Sequence, residues 1–305
     1  MIIGAIDVGS NSVKLLIGAA VGGRVRAITS KSAVTRLGGG VDRTGRIARS
    51  AQDRTIAVLR QFRRICGQFK VERRVAVGTE ALRLARNGGS FTKLCELKTG
   101  IPLRILTARE EARLSFLGAT SGRREKRLAA IDIGGGSTEI MFGKPGNLQG
   151  AMSLALGAVR LTELHLKSDP PQLAERMALF QRVHEELDRL PRKFRRATGR
   201  GTTLLGIGGT CVNVARMVRP AGSPEGRIVP FHTLEEVTER IAELPLTRRK
   251  RVPGIDPDRA DIILAGSRIL AETLRVLEIR SFTATVHGLR RGMILHESDR
   301  GAGSL

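Results

Sequence analysis

At 305 residues, 41% of them hydrophobic, the chain is long enough to bury an ordinary globular core, and its length suits two domains better than one. Its 52 lysines and arginines against 29 acidic residues leave a formal charge of +23, which points to an anionic partner or, more simply, to arginine-rich solvated faces. Trp and Tyr are absent and aromatics make up 3% of the chain, which argues against a base-stacking nucleic-acid platform; no apolar run approaches the roughly 20 residues of a membrane helix.

The N-terminus runs directly into an apolar segment, Met1 to Ile6, with no basic region or small-residue cleavage site ahead of it, so the cytoplasm is the expected compartment. From Ala5 to Gly18 an apolar run, then Asp7-x-Gly9 with small polar residues, then a second apolar run predict two antiparallel strands around a tight Gly-rich turn. The same pattern returns from Ala130 to Gly143 at a constant offset of 125 residues. Ala5, Ile6, Asp7, Gly9, Ser12 and Gly18 meet identical residues at Ala130, Ile131, Asp132, Gly134, Ser137 and Gly143. Each half of the chain is therefore expected to open with the same hairpin.

Between the hairpins the patterns predict strands over 25–28 and 74–77 and helices over about 48–69 and 107–118. The polar, charged run Ser121 to Arg127 sets a boundary near residue 123, giving expected domains of 1–123 and 124–305. Beyond it come a helix over about 157–166, a stop at Pro170-Pro171, a long charged helix over about 172–196, a strand over 204–207 and a helix over about 257–277. Strands alternating with helices make this an α/β chain of layered domains. Cys66, Cys95 and Cys211, with no C-x-x-C pair, read as small core residues.

A Gly-rich turn after a strand lets backbone N–H groups approach a phosphate with no Cβ in the way. Three segments fit: Asp7-Val-Gly-Ser-Asn-Ser12, Asp132-Ile-Gly-Gly-Gly-Ser137 and Gly206-Ile-Gly-Gly-Thr210. One alone would equally be a plain hairpin turn; three, two of them related by the repeat, make Gly9, Ser10, Asn11, Ser12, Gly134, Gly135, Gly136, Ser137, Gly208, Gly209 and Thr210 the candidate phosphate contacts. Asp7 and Asp132 open two of these loops, and a carboxylate beside bound phosphate calls for a cation such as Mg²⁺ between them. Glu139, on the second strand of its hairpin, is the further candidate for that metal; the other reading is an exposed polar residue on a half-buried strand.

Thr107 with Glu110 spells a capping box, so Glu110 has a structural task at a helix start and Glu111 is left to act on water. On spacing alone, a solvated glutamate favoured by the helix dipole is the simpler reading of Glu111. Arg83 is a candidate phosphate clamp, since guanidinium grips phosphate oxygens in pairs.

Seven segments in order resemble the exopolyphosphatase and guanosine pentaphosphate phosphohydrolase family of the actin and sugar-kinase superfamily. They are Ile6 to Leu15, Gly78-Thr-Glu-Ala-Leu-Arg83, Glu110-Glu-Ala-Arg-Leu114, Ile131 to Glu139, Gly206 to Thr210, Arg259-Ala-Asp-Ile-Ile-Leu-Ala-Gly266 and Gly288-Leu-Arg-Arg-Gly292. The resemblance implies two ribonuclease-H-like domains of the actin-like ATPase superfamily with the active site in the cleft between them. It further implies a homodimer and Mg²⁺-assisted attack of water on the terminal phosphoanhydride of inorganic polyphosphate. Glu111 falls on the family's catalytic carboxylate; Arg83 and the loops hold phosphates; Asp132 and Glu139 support the metal.

Two positions depart from the family pattern. Thr107-Ala108-Arg109 stands where a Ser-Gly pair is usual, and Glu80 where a small residue is usual. The chain also lacks the C-terminal helical domain of long members, which implies a preference for short polyphosphates. Guanosine pentaphosphate hydrolysis, an ATP-dependent kinase or ATPase activity, and a catalytically impaired polyanion-binding protein are the alternatives.

Overall fold

The apolar run ahead of Asp7 forms strand Ile3–Val8 (β1), almost unbroken in its buried side chains, as a central strand covered on both faces requires. It pairs antiparallel with Ser12–Val21 (β2), which pairs with Arg24–Val34 (β3). On its other side β1 runs parallel to Arg73–Gly78 (β4), and β4 to Leu103–Ile105 (β5), for a sheet order β3-β2-β1-β4-β5. The computed structural model describes residues 1–199 and 201–302; this sheet lies in one of two units, made of residues 1–123 with the chain from 287 onward, and residues 124–286 make the other.

The second unit repeats the plan with Leu128–Ile133 (β6), Thr138–Lys144 (β7), Asn147–Leu154 (β8), Thr203–Ile207 (β9), Ile228–Pro230 (β10) and Ser281–Thr285 (β11). Its order is β10-β11-β9-β6-β7-β8, the order of the first sheet with β10 added at one edge. The repeat reaches into the register: Asp7 faces Lys14 across β1 and β2 as Asp132 faces Glu139 across β6 and β7. Both units also bulge at the matching step, Ile17/Gly18 and Phe142/Gly143. A Cβ at Gly18 would lie 2.7 Å from the Arg26 carbonyl oxygen, and one at Gly143 2.2 Å from that of Asn147, so the bulge accepts only glycine. Two ribonuclease-H-like domains are thus present.

In the first unit helix Arg49–Gln68 lays Leu59, Phe62 and Cys66 on Ile6, Val8, Leu15 and Ile17 of the sheet. The opposite face, with Ile3, Ala5, Leu16 and Val77, is covered by Leu114 of helix Ala108–Thr120 and by Leu289, Met293 and Ile294 of the terminal helix Leu289–Ala302. This corrects the expected second domain of 124–305, because the chain from 287 returns to the first unit. There Gly292 meets the Leu114 backbone so closely that a Cβ would lie 1.8 Å from its carbonyl oxygen, and Arg290 and Arg291 donate to the carbonyls of Leu15 and Val25.

Two expected helices differ. The one over 172–196 is two, Leu173–Asp188 and Arg192–Thr198, because Pro191 lacks the N–H and its ring crowds the preceding turn. That over 257–277 is a short 3-10 turn, Pro257–Arg259, followed by helix Ile263–Val276. The three cysteines are buried and free. Among the described residues no helix is long and apolar enough to cross a membrane.

Candidate active site

In the first unit the β1–β2 turn closes with the Gly9 N–H donating to the Ser12 carbonyl at 3.1 Å. Ser10, Asn11 and Ser12 are all buried. Their backbone is braced by the segment after β3: Thr35 and Arg36 donate to the Asn11 carbonyl at 3.0 and 2.9 Å, and Gly38 to that of Ser10 at 2.8 Å. The side-chain amide nitrogen of Asn11 is buried with no partner among the described residues. Buried donors are nearly always paired, so an orphan donor in this turn is suited to receive an anion oxygen.

Asp7 is half-buried just before the turn, and burial pushes its carboxyl up from the usual aspartate range, against the opposing pull of Lys14 and Arg290. Neither cation was singled out from the sequence: Lys14 becomes visible only through the cross-strand register, and Arg290 only through the return of the terminal helix.

The end of β4 lies beside the same turn. Thr79 donates its N–H to the Val8 carbonyl at 3.3 Å and starts helix Glu80–Leu84, which carries Arg83. Arg83 Nη1 donates to the Leu106 carbonyl at 2.8 Å and to Glu111 Oε2 at 2.9 Å. The candidate clamp and the candidate base are therefore one ion pair, with side chains only 23% and 14% exposed. Glu111 is held, not solvated.

The capping box expected at this helix start is present, with Thr107 and Glu110 bonded in both directions. The Thr107 N–H, then Arg104, then the Thr107 hydroxyl draw the Glu110 carboxyl down to about 2. Glu110 is thereby committed to structure and Glu111 to the face that Arg83 occupies. Glu80 is buried, and the strand registers place it where the second unit has Thr210.

In the second unit the turn repeats, with Gly134 N–H donating to the Ser137 carbonyl at 2.9 Å. Gly134 and Gly135 carbonyls accept the first N–H groups of helix Ala158–His165, from Ala158 at 3.0 Å, Val159 at 2.8 Å and Arg160 at 3.0 Å. Contact is so close that a Cβ on Gly157 would stand 2.2 Å from the Gly135 carbonyl oxygen and 2.3 Å from Gly136 Cα. Glu139 is buried at 3% exposure, not the solvated strand residue of the simpler reading, and its Oε1 accepts from the hydroxyls of Ser137 and Ser153, each at 2.8 Å.

The third loop, Gly208 to Thr210, leaves β9 beside Asp132: a Cβ on Gly208, whose φ is +85°, would lie 3.0 Å from Asp132 Oδ1. Over it lies Arg259, whose Cζ would be 2.2 Å from a Cβ on Gly209. Burial lowers the Arg259 pKa, opposed by Asp256 and Asp261. The sequence places Arg259 within a motif without a role; its burial and its contact with Gly209 mark it out among the chain's many arginines.

The first unit thus gathers Asp7, the turn 9–12, Arg83 and Glu111, and the second gathers Asp132, Glu139, the turn 134–137, the loop 208–210 and Arg259. Among the described residues no group of three or more His, Cys, Asp and Glu is gathered for a metal ion. Magnesium does not need one: it keeps several waters and takes one or two carboxylates plus substrate phosphates. Asp132 and Glu139, paired across β6 and β7 on one face beside the candidate phosphate turn, fit that donor set.

The chain is similar to known proteins over nearly its whole length. A model of the Ppx/GppA phosphatase family matches residues 16–300. Exopolyphosphatase 1 of Mycobacterium leprae is 30% identical, the match covering 98% of this chain and 90% of the relative. Exopolyphosphatase 2 of Mycobacterium tuberculosis is 32% identical over 96% of this chain and 97% of the relative. The crystal structure of the Aquifex aeolicus Ppx/GppA family member superposes with a TM-score of 0.82 at 31% identity, covering 99% of this chain and 98% of that one.

Proposed function

We propose, from the premise that the chain belongs to the Ppx/GppA phosphatase family, that it is an exopolyphosphatase, removing terminal orthophosphate from inorganic polyphosphate. The observation that carries the reading is the Glu111–Arg83 pair: a carboxylate held at 2.9 Å by a guanidinium, one short helix away from a Gly-rich turn with an orphan amide donor. A kinase also combines a phosphate cradle with a catalytic carboxylate, which serves the acceptor hydroxyl; membership of a phosphatase family favours water as the acceptor here.

In this reading the N–H groups of the turns at 9–12 and 134–137 cradle phosphate oxygens, and Arg83 spreads the charge of the transferring phosphoryl group. Glu111 orients the attacking water and takes its proton. Arg83 serves Glu111 as well, because its second bond, to the Leu106 carbonyl, fixes the guanidinium and so the carboxylate. Asp132 and Glu139 would hold Mg²⁺, which when bound neutralises phosphate charge. A homodimer and a cytoplasmic location complete the reading.

The test is release of orthophosphate from polyphosphates of graded length, guanosine pentaphosphate and ATP, with Mg²⁺ present. Release from polyphosphate ahead of the two nucleotides supports the reading. Faster release from guanosine pentaphosphate assigns the same chemistry to that substrate, and no release from any of them sinks it.

A further inference from the structure

The segment between β3 and helix Arg49–Gln68 has no part in the site so far beyond bracing the turn at 10–11. It begins at that turn, through the N–H groups of Thr35, Arg36 and Gly38, and then forms one helical turn, Val41–Thr44, bounded by Gly40 at φ +70° and Gly45 at φ +65°. Both glycines take the left-handed conformation that other residues avoid, so the turn has a set shape. Its far end is tied to the residues that follow the Arg83 helix. The Arg86 N–H donates to the Gly45 carbonyl at 2.9 Å, and the Asn87 side chain accepts from Ile47 N–H at 2.8 Å and donates to the Ile47 carbonyl at 3.0 Å.

This docking lays Arg86 on the turn whose chain carries Arg43 and Arg46. All three are exposed, and their side chains make no hydrogen bond or ion pair with any described residue. Arg86 is not a loose surface residue: its guanidinium lies flat enough on the turn that a Cβ on Gly45 would meet Nε at 3.0 Å and Nη2 at 3.1 Å. Asp42 is the acidic residue within the turn, and it is already engaged. A solvated face normally interleaves signs, whereas here three unpaired guanidinia start three residues beyond Arg83, on a scaffold that begins at the phosphate turn.

From this we infer that Arg43, Arg46 and Arg86 form a subsite for the distal phosphates of a polyphosphate chain whose terminal phosphate is at Arg83 and the turn 9–12. The inference rests on the proposed function for its substrate and adds the residues that set chain-length preference. Guanidinium suits the task because each can grip two phosphate oxygens and none need be desolvated to do so. A chain too short to reach these arginines would bind without them, and a longer one would gain their contacts.

The test compares wild type with Arg43→Gln/Arg46→Gln/Arg86→Gln on tripolyphosphate and on long-chain polyphosphate, reading KM, kcat and, separately, calorimetric binding across a salt series. The KM and Kd for the long chain are expected to rise about 10-fold or more in the variant, with those for tripolyphosphate within about twofold and kcat unchanged. The salt dependence of long-chain binding, as log Kd against log salt, should become shallower by about 2, from three lost phosphate contacts. Equal weakening for both substrates, or none for either, overturns the subsite. A wild type that binds both polymers but releases no phosphate contradicts the proposed reaction, and the binding comparison still decides the subsite.

Discussion

Replacing Gly157 with alanine should disable catalysis without touching any group that reacts. The new Cβ would sit 2.2 Å from the Gly135 carbonyl oxygen and 2.3 Å from Gly136 Cα, and both obstacles are backbone, so no side chain can swing away. Ordinary contact begins near 3.4 Å, so the turn at 134–137 and the start of helix Ala158–His165 must part by about 1.2 Å, which strains the three hydrogen bonds that join them. A displacement of about 1 Å at a phosphate cradle costs on the order of 100-fold in kcat/KM, and the overpacking costs about 1–3 kcal/mol, or about 5 °C in Tm. The assay is phosphate release beside thermal unfolding, with Gly89→Ala, where nothing lies within 4 Å of the added methyl, as control. A folded Gly157→Ala protein with kcat/KM within about twofold of wild type would refute the reasoning that this turn positions phosphate.

Three further outcomes follow from the geometry. Arg83→Lys keeps the charge but not the paired bonds to Leu106 and Glu111, and should lower kcat about 10- to 100-fold, as loss of a charged hydrogen bond implies; an unchanged kcat would separate Arg83 from the chemistry. Glu139→Gln should raise the Mg²⁺ concentration for half-maximal activity about 10-fold or more, and an identical Mg²⁺ titration would remove Glu139 from the metal site. Glu110→Gln should cost about 1 kcal/mol at neutral pH, a figure discounted for the 35% exposure of the side chain. Because the folded carboxyl is depressed to about 2, its contribution is complete above the ordinary glutamate range and is lost as pH falls through that value, so the Tm gap to wild type should narrow below about pH 4.5. A gap that stays constant from pH 7 to about pH 3 contradicts the assignment.

The twin hairpins were legible because their signal is local: an apolar run, Asp-x-Gly and a second run occupy fourteen consecutive residues in each half. The capping box was legible for the same reason, since Thr107 and Glu110 are three apart. Pro191 was also in plain view, and its missing N–H divides the charged segment over 172–196 into two helices. What stayed hidden depends on distant partners. Strand Leu103–Ile105 is three residues long and takes its place only by pairing with β4. The terminal helix belongs to the first unit through Gly292 against Leu114, a contact between positions far apart in sequence. Arg259, Arg43, Arg46 and Arg86 were masked by abundance, because in a chain so rich in arginine only burial and contacts distinguish one guanidinium from another.

That Glu111 acts on water is the central proposal. Phosphate release and polyphosphate binding should be measured side by side for wild type and Glu111→Gln. Loss of about 100-fold or more in kcat, with binding retained within about threefold, is the predicted result; a variant that hydrolyses polyphosphate at the wild-type rate would contradict it.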